Sequence, residues 1–382
     1  MSRSLCHVNA CVANIREYKL ASHEVWHVPA DDRCHYAKLD WNESVAAPSP
    51  RVIQAVKRLA TDGSFYNLYP AVQNERLMHA LSEYAGLPEE YIQYFASSDS
   101  LQEYICRTYL DVHSRVLILS PSYDNFRLTV QSCGAEVIYA DMRSNFTVDY
   151  DLFEQDIRNY HPQMVYICNP NNPTGTQHSM EYIRHLAESF PRSLFLIDEA
   201  YWEFSGITVK ELAREHENLL ICRTFSKAFG LANFRIGYLI ASPYHIGLIN
   251  KIRNPKNITT FAQEAALAAL SDTGYMQDYV KAAVQGREYL FQELQKLDRL
   301  GTAYQSMGNF VMFQFYDEKI KAMAAEYLRN TCIFVRELTQ RPSVLSCIRI
   351  SAGTKELMVK TAEAFRAFER RYCTDCAGKG KG

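Results

Sequence analysis

The chain has 382 residues, of which 47% are hydrophobic and 22% charged, and its net charge at neutral pH is -2. That composition is ordinary for a globular protein with a large core, and the length suggests two domains. So slight a charge gives no basic field to hold nucleic acid, and no apolar run approaches a membrane span, which leaves small-molecule chemistry as the expectation.

In chain order, the first twenty residues are interrupted by Arg3, His7, Asn9 and Arg16. Those breaks exclude a signal peptide from the reading, and a cytoplasmic protein is expected. Eleven cysteines agree with a reducing compartment, since Cys106, Cys168 and Cys222 sit in apolar runs where a free thiol acts as a small hydrophobe. Within the arm, "HEVWH" sets His23, Glu24 and His27 at the spacing of a zinc metalloprotease helix. Pro29 follows almost at once and no patterned third ligand is visible, so exposed arm residues are the plainer reading and no metal is expected.

From about residue 90 to 240, short apolar runs alternate with helix-length segments. The runs are "YIQYF", "RVLIL", "QMVYIC", "SLFLI", "NLLICR" and "RIGYLI", which read as buried parallel strands. Between them, "SYDNFRLTVQSCG" and "SMEYIRHLAESF" carry amphipathic helical spacing. The expected fold class is therefore α/β. Five polar clusters, "ASSDS", "SPSYD", "NPNNPTG", "DEAY" and "TFSKA", each follow a strand, at the sheet edge where loops and helix N-termini converge on a ligand. After residue 250, an Ala-rich stretch has the period of one or two long helices, and short strands alternate with helices beyond it. The single pair Cys373 and Cys376 in "CTDC" reads as part of a disordered or merely helix-terminating tail rather than a metal site.

Each cluster has a bland reading beside a chemical one. Lys227, taken alone, would be a solvated surface amine; held past a buried strand it loses proton affinity and can attack a carbonyl. Thr224, Ser226 and Arg235 either cap a helix start or offer two hydroxyls and a planar fork to a phosphate. Ser97, Ser98 and Asp99 can cap a helix while the same N–H groups bind phosphate. Asp198, ending a buried strand, either caps a helix or meets a cation such as a pyridinium N–H, with Tyr201 as core or as donor to a phenolate. "NPNNPTG" is first a rigid turn, which can still aim Asn172, and Tyr123 either packs or stacks on a ring.

In this order "NPNNPTG", "IDEAY", "RTFSKAFGLANFRIGY" and "CIRISAGT" resemble the fold-type I pyridoxal-phosphate aminotransferases, most closely the histidinol-phosphate aminotransferase group. The likeness spans most of the chain, from "KLDWNES" to "CIRISAGT". It implies a large domain with a mostly parallel sheet between helices, over residues 46–252, and a smaller α+β domain over 253–372. Residues 1–45 would be an arm joined to the small domain, and 373–382 a flexible tail. The implied cofactor is pyridoxal 5'-phosphate, linked covalently to Lys227, which also shuttles the proton. Asp198 would pair with the pyridine nitrogen, Tyr201 and Asn172 would contact the phenolic oxygen, and Tyr123 would stack on the ring. Ser98, Asp99, Thr224, Ser226 and Arg235 would bind the phosphate, joined by Tyr69 of "NLYP" from a second subunit of a homodimer. On the substrate side the resemblance implies Arg349 at the carboxylate, Arg336 near the far end, and Asn42.

Three departures fall near the ligands: Ser97 stands where the family usually has Gly, the upstream Tyr segment is not recognisable in "HVPADDRCHY", and a Tyr is absent from "IRNPKNITT". The implied reaction is ping-pong transfer of an amino group between an amino acid, or a phosphorylated or acidic amine resembling histidinol phosphate, and a 2-oxo acid. Decarboxylation or elimination on the same scaffold is the alternative.

Overall fold

The computed structural model describes residues 8–17 and 24–379. Among them the strands are β1 (Ala37–Leu39), β2 (Ile92–Phe95), β3 (Arg115–Ser120), β4 (Glu136–Asp141), β5 (Met164–Cys168), β6 (Leu194–Asp198) and β7 (Leu219–Thr224). There follow β8 (Gly237–Ala241), β9 (Gly301–Tyr304), β10 (Phe310–Phe315), β11 (Ile333–Glu337) and β12 (Cys347–Ser351). Seven form one sheet in the order β2-β8-β7-β6-β5-β3-β4. Strands β5, β6 and β7 are buried at every position, and their sequences are apolar runs, interrupted in β7 by Arg223, that end in the polar clusters.

One strand departs from the parallel reading: β8 runs antiparallel to both neighbours, β7 and β2. Residues 225–236 hold a single 3-10 turn (Ala232–Phe234) and no crossover helix, so the chain doubles back beside β7. Its apolar run "RIGYLI" signals burial, which carries no direction. Strand β4, absent from the expected runs, lies at the sheet edge and is only partly buried, which dilutes its signature.

The main core encloses this sheet, with Leu117, Leu196, Ile197, Ile221 and Leu239 fully buried, and it extends through Ala265, Ala266 and Ala283. The Ala-rich region forms two helices, Thr260–Leu270, capped by the Thr259 side chain, and Thr273–Leu294. The longer one begins in the main core at Met276 and Tyr279 and ends in a second core at Leu290 and Leu294. That second core lies against a five-stranded sheet, β1-β11-β12-β10-β9. Strand β1 pairs in parallel with β11, so residues 37–39 of the N-terminal arm belong to the C-terminal sheet.

The final helix is Lys355–Lys379. No described helix is long and apolar enough to cross a membrane.

Candidate active site

The carboxyl ends of the central strands open onto a cavity of about 650 Å³, closed on the far side by the five-stranded sheet. Lys227 lies three residues past β7, and its Nζ donates to the Trp41 carbonyl at 3.1 Å. Burial, reinforced by the nearby Arg349 guanidinium, lowers its pKa to about 8. The sequence places the amine here because Thr224 ends a fully buried strand and the chain must turn out at that edge.

Asp198 ends β6, between Cys168 of β5 and Cys222 of β7 in register. Burial raises its carboxyl to a pKa of about 6, against the donors that surround it. Oδ2 accepts from the Tyr166 hydroxyl at 2.8 Å and Gln102 Nε2 at 2.9 Å, and Oδ1 accepts from the Ala200 N–H at 3.1 Å. Neither Tyr166 nor Gln102 is marked by the motifs.

The Tyr201 hydroxyl accepts from Asn42 Nδ2 at 3.1 Å and Asn172 Nδ2 at 3.2 Å. Asn172 Oδ1 in turn accepts from Arg349 Nη1 at 2.5 Å, and Arg349 Nη2 donates to the Asp40 carbonyl at 2.8 Å. One relay therefore joins β12, the "NPNNPTG" turn and the segment after β6. Asn42, expected at the substrate, is fully buried with its amide on Tyr201. It has positive φ, and Ser351 and Asn309 hold its backbone.

At the opposite end, the helix Ser97–Tyr109 starts at the cavity with Ala96 as N-cap, which supplies no capping side chain. Ser97 is buried and takes φ 85°, the left-handed backbone that glycine adopts freely, so the bend survives without the usual residue. Ser98, Asp99, Thr224 and Ser226 line this end. The Thr224 hydroxyl donates to Ser226 Oγ at 2.9 Å. The Asp99 carboxylate receives the Tyr123 hydroxyl on one oxygen and Arg235 Nη2 on the other, each at 3.0 Å.

Arg336 and Arg349 enter from the five-stranded sheet and line the same cavity, as do Trp26 and Gln340, which sequence reasoning did not select. Tyr69 is elsewhere: it is 81% exposed, with the Lys256 amine 4.9 Å from its ring centre. The zinc pattern is not brought into a helix of the required kind. Glu24–His27 form a 3-10 turn, and His23 lies outside the described residues. Among the described residues no cluster of three metal-ligating side chains occurs.

The family "Aminotransferase class I and II" matches residues 35–365. The chain belongs to it. Members use pyridoxal 5'-phosphate to move amino groups. The aminotransferase is 37% identical over 366 residues to a dihydroxyacetone phosphate transaminase of Campylobacter jejuni, covering 95% of this chain and 97% of that one. It is 33% identical over 332 residues to a histidinol-phosphate aminotransferase of Ruminiclostridium cellulolyticum, covering 86% and 91%. Its fold matches the crystal structure of Sinorhizobium meliloti histidinol-phosphate aminotransferase in complex with pyridoxal-5'-phosphate, with a TM-score of 0.85, 23% identity, and coverage of 97% and 99%.

The donor set fits the family's cofactor. A buried amine of depressed pKa can be neutral near pH 8 and bond to a carbonyl carbon. A buried carboxylate suits a ring N–H, and hydroxyls beside a helix N-terminus suit a phosphate.

Proposed function

We propose that this aminotransferase exchanges an amino group between an acidic 2-oxo acid and a phosphorylated or dianionic amine, in ping-pong fashion. The observation that carries the proposal is the opposition of Arg336 and Arg349, which are cross-strand partners on β11 and β12. Both line the cavity, and they are only 9% and 8% exposed. Like charges directly opposite on a sheet destabilise it, and an anion bound beside both guanidiniums offsets that repulsion through charge-assisted hydrogen bonds added to those Arg349 already makes. A substrate with a carboxylate for Arg349 and a second anion for Arg336 meets that demand. The relatives named for dihydroxyacetone phosphate and histidinol phosphate point the same way.

In this reading Lys227 would hold the cofactor and then, as a free amine, would take the proton from the substrate carbon and carry it away from that carbon, which leaves the carbon free to become a carbonyl. Pyridoxal 5'-phosphate, when bound, supplies an aromatic ring that accepts electron density from that carbon. Asp198 holds the proton on the ring nitrogen, and Tyr201 with Asn172 holds the phenolic oxygen. Ser98, Asp99, Thr224, Ser226 and Arg235 hold the phosphate, with Tyr123 against the ring. The enzyme is proposed to work as a homodimer in which Tyr69 completes the phosphate site of a second copy. Tyr69 supports this by standing in an exposed apolar patch with Tyr66 and Leu68, away from its own cavity.

Initial rates should give parallel double-reciprocal lines. Arg336→Met should lower kcat/KM for phosphorylated or dicarboxylate substrates about 10- to 100-fold, the worth of a hydrogen bond to a charged group, while neutral amines lose less than about threefold. An equal loss for every substrate would contradict the assignment.

A further inference from the structure

We infer that Tyr166 and Gln102 are positioning residues that keep Asp198 a carboxylate and aim its one remaining acceptor position at the cofactor's ring nitrogen. The inference rests on the family's use of pyridoxal 5'-phosphate and adds two residues of this chain to it.

Asp198 is 4% exposed, and among the described residues no ion pair includes it. An unpaired carboxyl in such a place would take up a proton and lose its value to a pyridinium. Neutral donors oppose that here. The Tyr166 hydroxyl comes from the neighbouring strand and Gln102 Nε2 from the helix Ser97–Tyr109, and both meet Oδ2. Each is immobilised: Tyr166 is fully buried and stacked on Phe126 with centroids 4.1 Å apart, and Gln102 is 1% exposed. Two donors on Oδ2 and the Ala200 N–H on Oδ1 fill three of the roughly four acceptor positions of a carboxylate. Asp198 lines the cavity, so the fourth serves a donor there.

The groups facing Asp198 leave its titration legible. Tyr166, Cys168 and Cys222 flank it from β5 and β7, and Tyr201 follows on its own segment. Burial pushes all four pKa values upward, which keeps them neutral at moderate pH. Asp99 contributes the one like charge, from the helix start. Removing the Tyr166 hydroxyl therefore raises the pH at which Asp198 ionises, and a cofactor that needs the carboxylate binds less well on the acid side.

The test measures the affinity of the apoenzyme for pyridoxal 5'-phosphate from pH 5 to 8 in the parent, Tyr166→Phe and Gln102→Met. The ratio of variant to parent cancels the titration of the free cofactor. Tyr166→Phe should bind nearly as well as the parent at pH 8, about fivefold more weakly at pH 6 and about tenfold more weakly at pH 5, its acid midpoint moved up by about one unit. Gln102→Met should act in the same direction. In an Asp198→Asn background, Tyr166→Phe should change affinity less than about twofold, because its target is gone. A deficit independent of pH, or one that persists with Asn at position 198, would show a merely structural role and overturn the inference. If Asp198→Asn binds the cofactor as the parent does at every pH, Asp198 is not the ring's partner, and the inference fails at its premise while the family's cofactor stands.

Discussion

Replacing Arg223 with Met strands a carboxylate inside the large sheet. Arg223 is 1% exposed and Glu199 is fully buried. The guanidinium meets Glu199 Oε2 through Nη2 at 2.8 Å and through Nε at 2.9 Å, and its carbon lies 4.1 Å from the Trp202 ring centre. Thr208 and the Val209 N–H still donate to Glu199 after the change, but its counter-charge is lost. Breaking one partner out of a buried pair costs about 3–5 kcal/mol. A chain of 382 residues unfolding as one unit loses roughly 0.8 kcal/mol per kelvin, so the melting temperature should fall by about 5 °C. Arg223→Lys keeps the charge but not the stacked fork, and should fall less. The double variant Arg223→Met, Glu199→Leu removes the stranded charge and should recover part of the loss. Scanning calorimetry of the apoenzyme at neutral pH makes the comparison. A double variant no more stable than Arg223→Met, or a single variant within about 1 °C of the parent, would refute the reasoning.

Two further predictions concern the site and its support. Lys227 has its pKa depressed to about 8, so below that pH the amine is protonated and unable to bond to the cofactor. The rate at which apoenzyme attaches pyridoxal 5'-phosphate, followed by absorbance, should therefore rise through a midpoint near pH 8; a flat profile would contradict the assignment. Gly175, in "NPNNPTG", takes φ +76°, and a Cβ there would lie 2.3 Å from Ser306 Oγ and 2.4 Å from Ser306 Cα. Gly175→Ala should consequently displace the turn that carries Asn172 and weaken cofactor binding about fivefold or more, through strain of more than about 1 kcal/mol. Parent-like affinity would show that the turn does not depend on this contact.

Buried strands announce themselves as apolar runs, so the sheet could be read before its topology. The direction of β8 could not, because direction depends on the connection and not on burial. The polar clusters were legible because Ser, Asn, Asp and Lys at strand ends interrupt those runs. Tyr166 was hidden for the opposite reason: it sits inside "QMVYIC", where a tyrosine looks like core. Its one signal is the period of two that puts it on the same face as Cys168, which is in register with Asp198. Gln102 was masked within an ordinary helix pattern. Arg336 and Arg349 lie in separate motifs, and only the antiparallel pairing of β11 with β12 sets them opposite each other.

Borohydride reduction of the enzyme loaded with pyridoxal 5'-phosphate, followed by digestion and mass spectrometry, tests the assignment of Lys227 most directly. The account predicts loss of the yellow absorbance and a single pyridoxyl adduct on the peptide containing Lys227. An adduct confined to another lysine, or none at all with the colour unchanged, would contradict it.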